Sequence, residues 1–355
     1  MAKKYLITGG AGFIGSHLSE SLLRRGDHVV VLDNLSTGRL ANLDSIGNDP
    51  HFRFVQGSIL DELVVDEAVH ECDVVIHLAA AVGVRLIVEQ ALRSFTTNIR
   101  GSEVVLGAAH RYRRRILVAS TSEVYGKNNA GPLNETMDRV LGPTSIERWS
   151  YSTAKAVDEI LAFLYHRERG LPAVVARFFN TVGPRQSPAY GMVIPRLVRQ
   201  ALAGEPLTVY GDGQQSRTFC HVSDTVRAIV GLLDNPEADG EPFNVGGDRE
   251  ITMLQLAELI RERTQSSSPI ELIPYEQAYA RGFEDMRRRV PDTAKLRDLT
   301  KWEAQLSLED ILDDVIKESE AERMTSQLLG HPVRPDEVGF DDDDADAPGA
   351  AARKG

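Results

Sequence analysis

Residues 4–15 read Lys4-Tyr5-Leu6-Ile7-Thr8-Gly9-Gly10-Ala11-Gly12-Phe13-Ile14-Gly15, and this stretch decides the fold. Its first five residues form a short apolar run suited to a buried strand. From Phe13 the apolar residues recur at helical spacing until Gly26. Between strand and helix lie glycines at 9, 12 and 15 (GxxGxxG), and also at 10, 12 and 15 (GxGxxG). Glycine permits the tight turn and lets backbone N–H groups approach a pyrophosphate at the positive end of the following helix. A glycine pattern alone is weak, but a strand before it and a helix after it make it specific. A second apolar strand, 28–32, ends at Asp33. A carboxylate there can accept both hydroxyls of an adenosine ribose and repels a 2′-phosphate, so NAD is expected over NADP.

Working outward, further apolar strands are expected at 52–56, 73–78, 115–119 and 173–178. Helical spacing fills 60–70, 93–110 and 151–169. Such alternation predicts an α/β fold with a doubly wound parallel sheet of the Rossmann type. After about residue 180 prolines interrupt the chain, and short strands at 207–210 and 242–245 alternate with helices at 195–203, 222–233 and 253–264. The expected division is a dinucleotide-binding domain over 1–180 with returning segments near 215–245, a smaller mixed α/β substrate lobe over 181–330, and a disordered acidic tail over 331–355.

With 355 residues, 42% of them hydrophobic, the chain can bury a sizeable core. A net charge of -12 argues against nucleic acid as a partner, because neutralising phosphates needs a basic surface. No apolar run approaches a membrane span of about 18 residues and no signal peptide is visible, so a cytoplasmic protein is expected. Cys72 and Cys220 belong to no cluster; they read as reduced thiols, and no metal site is expected.

Candidate chemistry lies in two places. Tyr151 and Lys155 are four apart, which puts them on one helical face. An ammonium beside a phenol lowers its pKa, which would let tyrosine serve as acid or base near neutral pH. Thr121-Ser122-Glu123 follows the fifth strand and so sits at the sheet's C-terminal edge, where such folds bind ligands. The polar loop Asn34, Ser36, Thr37 and Gly38 suits the adenosine ribose, and the small residues after Leu78, Ala79 and Ala80, allow a flat cofactor close access.

Taken together, Gly9/Gly12/Gly15, Asp33, Thr121 and Tyr151/Lys155 resemble the extended short-chain dehydrogenase/reductase superfamily. Residues 177–185 and 207–224 extend the likeness to the nucleotide-sugar epimerases, dehydratases and decarboxylases, with the UDP-glucuronic acid 4-epimerase group nearest. The resemblance implies that Tyr151 takes the sugar C4 hydroxyl proton, that Thr121 hydrogen-bonds that hydroxyl, and that Lys155 binds the nicotinamide ribose. It further implies NAD contacts from Phe13, Ile14, Ser58, Ile59, Asn98 and Phe178. Asn180, Arg217 and Arg289 would hold a diphosphate, Val209 and Tyr210 would line a uracil pocket, and Val193 would contact the substrate. A homodimer is implied through segments 93–110 and 151–169.

The leading expectation is 4-epimerisation of a UDP-sugar, with UDP-glucuronate to UDP-galacturonate as the specific case. The alternative is UDP-glucuronate decarboxylation or 4,6-dehydration through the same 4-keto intermediate, since those relatives carry a glutamate at the position of Glu123. Against decarboxylation, 151–155 lacks an acidic insert that many UDP-glucuronate decarboxylases show. For a uronate carboxylate the candidates are Arg85, Arg185, Ser122 and Thr181. A non-catalytic NAD-binding regulator is the remote alternative, set against the presence of Thr121, Tyr151 and Lys155.

Overall fold

The computed structural model describes residues 2–81, 90–187, 192–278 and 286–329. Its first half runs β1 (Lys4–Thr8), α1 (Phe13–Arg24), β2 (His28–Asp33), β3 (Phe52–Gln56), α2 (Glu62–His70), β4 (Val74–His77), α3 (Ala91–Arg111), β5 (Arg115–Thr121), α4 (Arg148–Arg169), β6 (Ala173–Phe178) and β7 (Thr181–Val182). It continues through α5 (Val193–Ala203), β8 (Leu207–Tyr210), β9 (Ser216–Arg217), β10 (Cys220–His221), α6 (Val222–Asp234), β11 (Pro242–Val245), β12 (Ile251–Thr252), α7 (Met253–Arg263), β13 (Ile270–Ile273), β14 (Arg288–Arg289), α8 (Ala294–Thr300) and α9 (Leu308–Leu329).

Seven strands form one parallel sheet in the order β11-β6-β5-β4-β1-β2-β3. Both faces are covered, which is why β1, β2 and β4 read as unbroken apolar runs. Alternate side chains of a strand serve opposite layers. Tyr5 and Ile7 join a core with Leu18 and Leu22 of α1 and Ile229 and Leu232 of α6. Leu6 and Val30 join another with Val65 of α2 and Leu106 of α3. The strand at 242–245, which lies at the end of the returning segments expected near 215–245, is the seventh strand of this sheet, paired to β6.

Strand order reverses between β1 and β4, which opens a crevice at their C-terminal ends. Facing it are small sheets: β7 with β10, β12 with β9 and β14, and β8 with β13. Beneath them is a separate core, in which Leu207 and Val209 pack with Leu197 of α5, Leu256 of α7 and Ile311 of α9.

Candidate active site

A cleft of about 540 Å³ runs from the glycine turn across the C-terminal edge of the sheet to the small sheets. That volume falls within the few hundred to about 1,000 Å³ typical of ligand sites. Gly9, Gly12, Phe13, Ile14 and Gly15 line one end, with Asp33, Asn34, Ser36, Thr37, Ser58, Ile59, Leu78, Ala79, Ala80 and Phe178. The turn tolerates no side chain. Gly9 has φ +73°, and a Cβ there would lie 2.7 Å from the Ala79 nitrogen; a Cβ on Gly15 would lie 2.5 Å from the Gly9 carbonyl oxygen. Asp33 accepts hydrogen bonds from the Ala11 N–H at 2.9 Å and the Leu35 N–H at 2.8 Å. Burial pushes its carboxyl above the usual range, against the pull of these two N–H groups. Asp33 lines the cleft beside the glycine turn, whose side-chain-free backbone leaves the close approach that a dinucleotide pyrophosphate needs.

Two expected cofactor residues stand behind this surface rather than on it. Asn98 is not among the lining residues: it accepts from the Ala81 N–H at 2.7 Å and donates to the Ala81 carbonyl at 3.1 Å, so it anchors the strand end after β4. Gly38 packs beneath Asp33, where a Cβ would come within 3.0 Å of Oδ2.

Midway along the cleft stand Thr121, Ser122, Glu123, Tyr151 and Lys155. Thr121 ends β5 and caps the next turn, accepting from the Glu123 N–H at 3.3 Å. Helix α4 begins three residues before Tyr151, which brings in Arg148, a residue sequence reading passed over. Arg148 grips Glu123 with both terminal nitrogens, at 2.5 and 3.1 Å. Arg289 reaches the same carboxylate at 3.4 Å and also donates to the Asn180 side-chain oxygen. Burial alone would raise the Glu123 carboxyl, but the Arg148 and Arg289 guanidiniums hold it below its ordinary value. Tyr151 is buried, and burial followed by the Glu123 and Asp158 charges pushes its phenol well up, against Arg148 and Arg289. The expected depression by Lys155 is not the governing influence here, because the Lys155 ammonium is engaged by Asp158 at 3.0 Å.

At the far end the lining includes Asn180, Arg185, Val193, Val209, Tyr210, Arg217 and Arg289. Strand alternation separates the two residues of β14: Arg288 pairs outward with Glu250 at 2.8 Å while Arg289 turns inward; Arg287, just before the strand, pairs with Asp212 at 2.7 Å on the surface. Arg217 is buried and donates to the Ser216 carbonyl at 2.8 Å. Asn180, at φ +36°, takes the left-handed region that asparagine tolerates better than most residues, and it donates to the Thr218 carbonyl at 2.8 Å. Arg185 lines the cleft but donates to Glu20 at 2.6 Å. The Thr181 hydroxyl faces that of Thr225 at 3.1 Å. Arg85 lies outside the described residues. Arg196, which sequence reading also passed over, lies 4.2 Å from the Tyr210 ring centroid and donates to Thr208 at 2.6 Å. Among the described residues no group of three or more His, Cys, Asp or Glu side chains could hold a metal.

A parallel sheet with a glycine cradle at its switch point, and a tyrosine–lysine helix beside it, agrees with comparison against known proteins. Residues 6–315 match the family model described as GDP-mannose 4,6 dehydratase. This chain belongs to that family. Its members form part of the nucleotide-sugar epimerase/dehydratase superfamily. A UDP-N-acetyl-alpha-D-glucosaminuronate decarboxylase from Bacillus cytotoxicus is 41% identical over 319 residues, 89% of this chain and 98% of that protein. UDP-glucuronic acid decarboxylase 1 from Arabidopsis thaliana is 37% identical over 315 residues, 89% of this chain and 69% of that one. The solved UDP-glucuronic acid 4-epimerase from Bacillus cereus, in complex with UDP-glucuronic acid and NAD, superimposes with a TM-score of 0.81 at 29% identity, covering 90% of this chain and 99% of the other.

Proposed function

We propose that this enzyme decarboxylates a UDP-linked uronic acid, either the glucuronate or its 2-acetamido counterpart, using bound NAD. The observation that carries this reading is the group Arg148–Glu123–Arg289 beside Tyr151. Similarity to two decarboxylases supports it. The 4-epimerisation placed first from sequence shares the opening step, but these relatives favour its alternative.

Gly9, Gly12, Gly15 and Asp33 hold the NAD pyrophosphate and adenosine ribose, and Lys155 the nicotinamide ribose. When bound there, NAD would supply the hydride acceptor for C4 and the hydride that restores it. Tyr151 takes the C4 hydroxyl proton, and Thr121 donates to the same oxygen. Once C4 is a carbonyl, the C6 carboxylate is β to it. The C5–C6 electron pair can then pass toward the C4 oxygen, where Tyr151 and Thr121 stabilise the developing charge. Carbon dioxide leaves, C5 takes up a proton, and C4 is reduced again. One proton is consumed for each carbon dioxide released.

Arg289, which the resemblance set against the diphosphate, stands beside Glu123 and presents its forked cation to the substrate carboxylate instead. Glu123 is held ionised by Arg148, so the two carboxylates compete for Arg289, and loss of carbon dioxide relieves that competition. Arg217 and Asn180 lie toward the diphosphate, and Val209 and Tyr210 toward the uracil. We further propose a homodimer formed through α3 and α4.

Purified enzyme is to be incubated with UDP-glucuronate and, separately, UDP-N-acetylglucosaminuronate, with carbon dioxide trapped and products identified by NMR. A UDP-pentose with stoichiometric carbon dioxide is expected. Retention of C6 with inversion at C4 would establish the epimerase instead, and a 4-keto-6-deoxy product the dehydratase.

A further inference from the structure

Behind Lys155 a line of buried polar groups crosses four elements. The Thr8 hydroxyl, at the end of β1, accepts from the Ala79 N–H at 3.3 Å and faces His77 Nδ1 at 2.8 Å. His77 ends β4, and its Nε2 lies 3.1 Å from the Ser102 hydroxyl on α3. Ser102 stands next to Asp158 on α4 and favours its ionised form, and Asp158 Oδ2 holds the Lys155 ammonium at 3.0 Å. Thr8, His77, Ser102 and Asp158 are all completely buried, and Lys155 is 2% exposed.

The ends of this line fix its direction. An ionised carboxylate only accepts, so the Ser102 hydroxyl beside Asp158 turns its proton that way and accepts from His77 Nε2–H. His77 Nδ1 then accepts the Thr8 proton. This arrangement requires a neutral imidazole. Burial and the nearby Lys155 charge accordingly push His77 down to about 3.

Here a buried acid has no task in the chemistry of the sugar, yet it holds a residue that has one. We propose that Asp158 is a positioning residue: anchored through Ser102 and His77 to the strand ends that form the cofactor cradle, it fixes where the Lys155 ammonium stands relative to NAD and to Tyr151. Its position, three residues beyond Lys155 on the same helix, makes the pairing geometrically natural. This inference rests on the C4 oxidation in the proposed function, but not on what happens to the sugar afterwards. Charged groups around the pair come from every side: Glu159 acts on Asp158, and Glu123, Arg148 and Arg289 act with Asp158 on Tyr151.

The test is Asp158→Asn in the full-length holoenzyme, which keeps the shape and removes the charge. The rate of NAD loss on dialysis should rise several-fold, because Lys155 is no longer held. The acidic limb of the kcat/KM profile should move toward lower pH by about one unit, since an anion that raises Tyr151 is gone. KM for the UDP-sugar should change less than kcat. A folded variant with unaltered NAD retention and an unmoved limb overturns the proposal, even if turnover falls. Should Asp158→Asn fail to fold, Ser102→Ala removes the anchor and leaves both charges. It should give the same faster NAD loss to a smaller degree, and wild-type retention would overturn the proposal. If neither uronate is consumed by the wild type, the product assignment fails, while NAD retention still decides the role of Asp158.

Discussion

A phenol buried as deeply as Tyr151 gives up its proton only if nearby charge favours the phenolate, and four charged groups decide that balance. Arg148 and Arg289 favour ionisation, while Glu123 and Asp158 oppose it. Replacing Tyr151 with Phe removes the proton acceptor without disturbing the glycine cradle. Turnover should fall by about a hundredfold to ten-thousandfold, the usual worth of a general base, while NAD remains bound. Single-turnover product assays with a parallel NAD determination check this, and retained turnover would remove Tyr151 from the mechanism. Glu123 gives a second prediction, on stability. Its folded pKa lies below the ordinary 4.5, so the stabilisation is present above that pH and is lost as pH falls through the folded value. Glu123→Gln removes the anion that Arg148, 5% exposed, grips with both terminal nitrogens. Removing one partner of a buried pair costs about 3–5 kcal/mol. Urea unfolding at neutral pH should show that loss, and the gap between variant and wild type should narrow as the pH is taken below 4.5.

At the scale of elements, the glycine turn is the part of the site most sensitive to volume. Gly15→Ala would drive a methyl to 2.5 Å from the Gly9 carbonyl oxygen, which is backbone and cannot swing aside. Overpacking of this kind costs about 1–3 kcal/mol. The turn would spread and NAD affinity should drop at least tenfold by isothermal titration, with unchanged affinity showing that the cradle adapts. This turn was legible in sequence because glycine spacing, strand and helix adjoin one another along the chain. Much the same is true of the central strands, where burial on both faces writes continuous apolar runs; β1 and β6 have the expected bounds, as does β3 at the sheet's edge. The two-residue strands β7, β9, β10, β12 and β14 carry no periodicity, so nothing local marks them. Yet it is β14 that turns Arg289 inward and Arg288 outward. Arg148 and Asp158 were readable in principle, each standing three residues from Tyr151 or Lys155 on the same helix. The link from Thr8 to His77 was not, because it joins residues 69 apart through strand order alone.

For the whole molecule the remaining question is what covers the outer face of α3 and α4, which pack against each other. Val157, Ile160 and Leu164 recur at spacings of three and four along α4, a stripe that one helical face presents together. Ile160 is 51% exposed, and Phe95 and Ile99 on α3 are half-buried. An apolar stripe on each of two neighbouring helices is what an isologous dimer would cover, the same four-helix surface meeting its own copy. Stable interfaces bury about 1,200–2,000 Å² in total, and two helices of 21 and 22 residues offer a face of that order. Ile160→Asp places a charge at the centre of the stripe, where pairing would have to desolvate it. Sedimentation at micromolar concentration should show a dimer for the wild type and a monomer for the variant, and a variant that stays dimeric would place the interface elsewhere. Tyr151, Lys155 and Asp158 lie on the buried face of this same helix, opposite the stripe. The monomeric variant should therefore keep its NAD and lose thermal stability, with turnover declining only as α4 loosens at higher temperature.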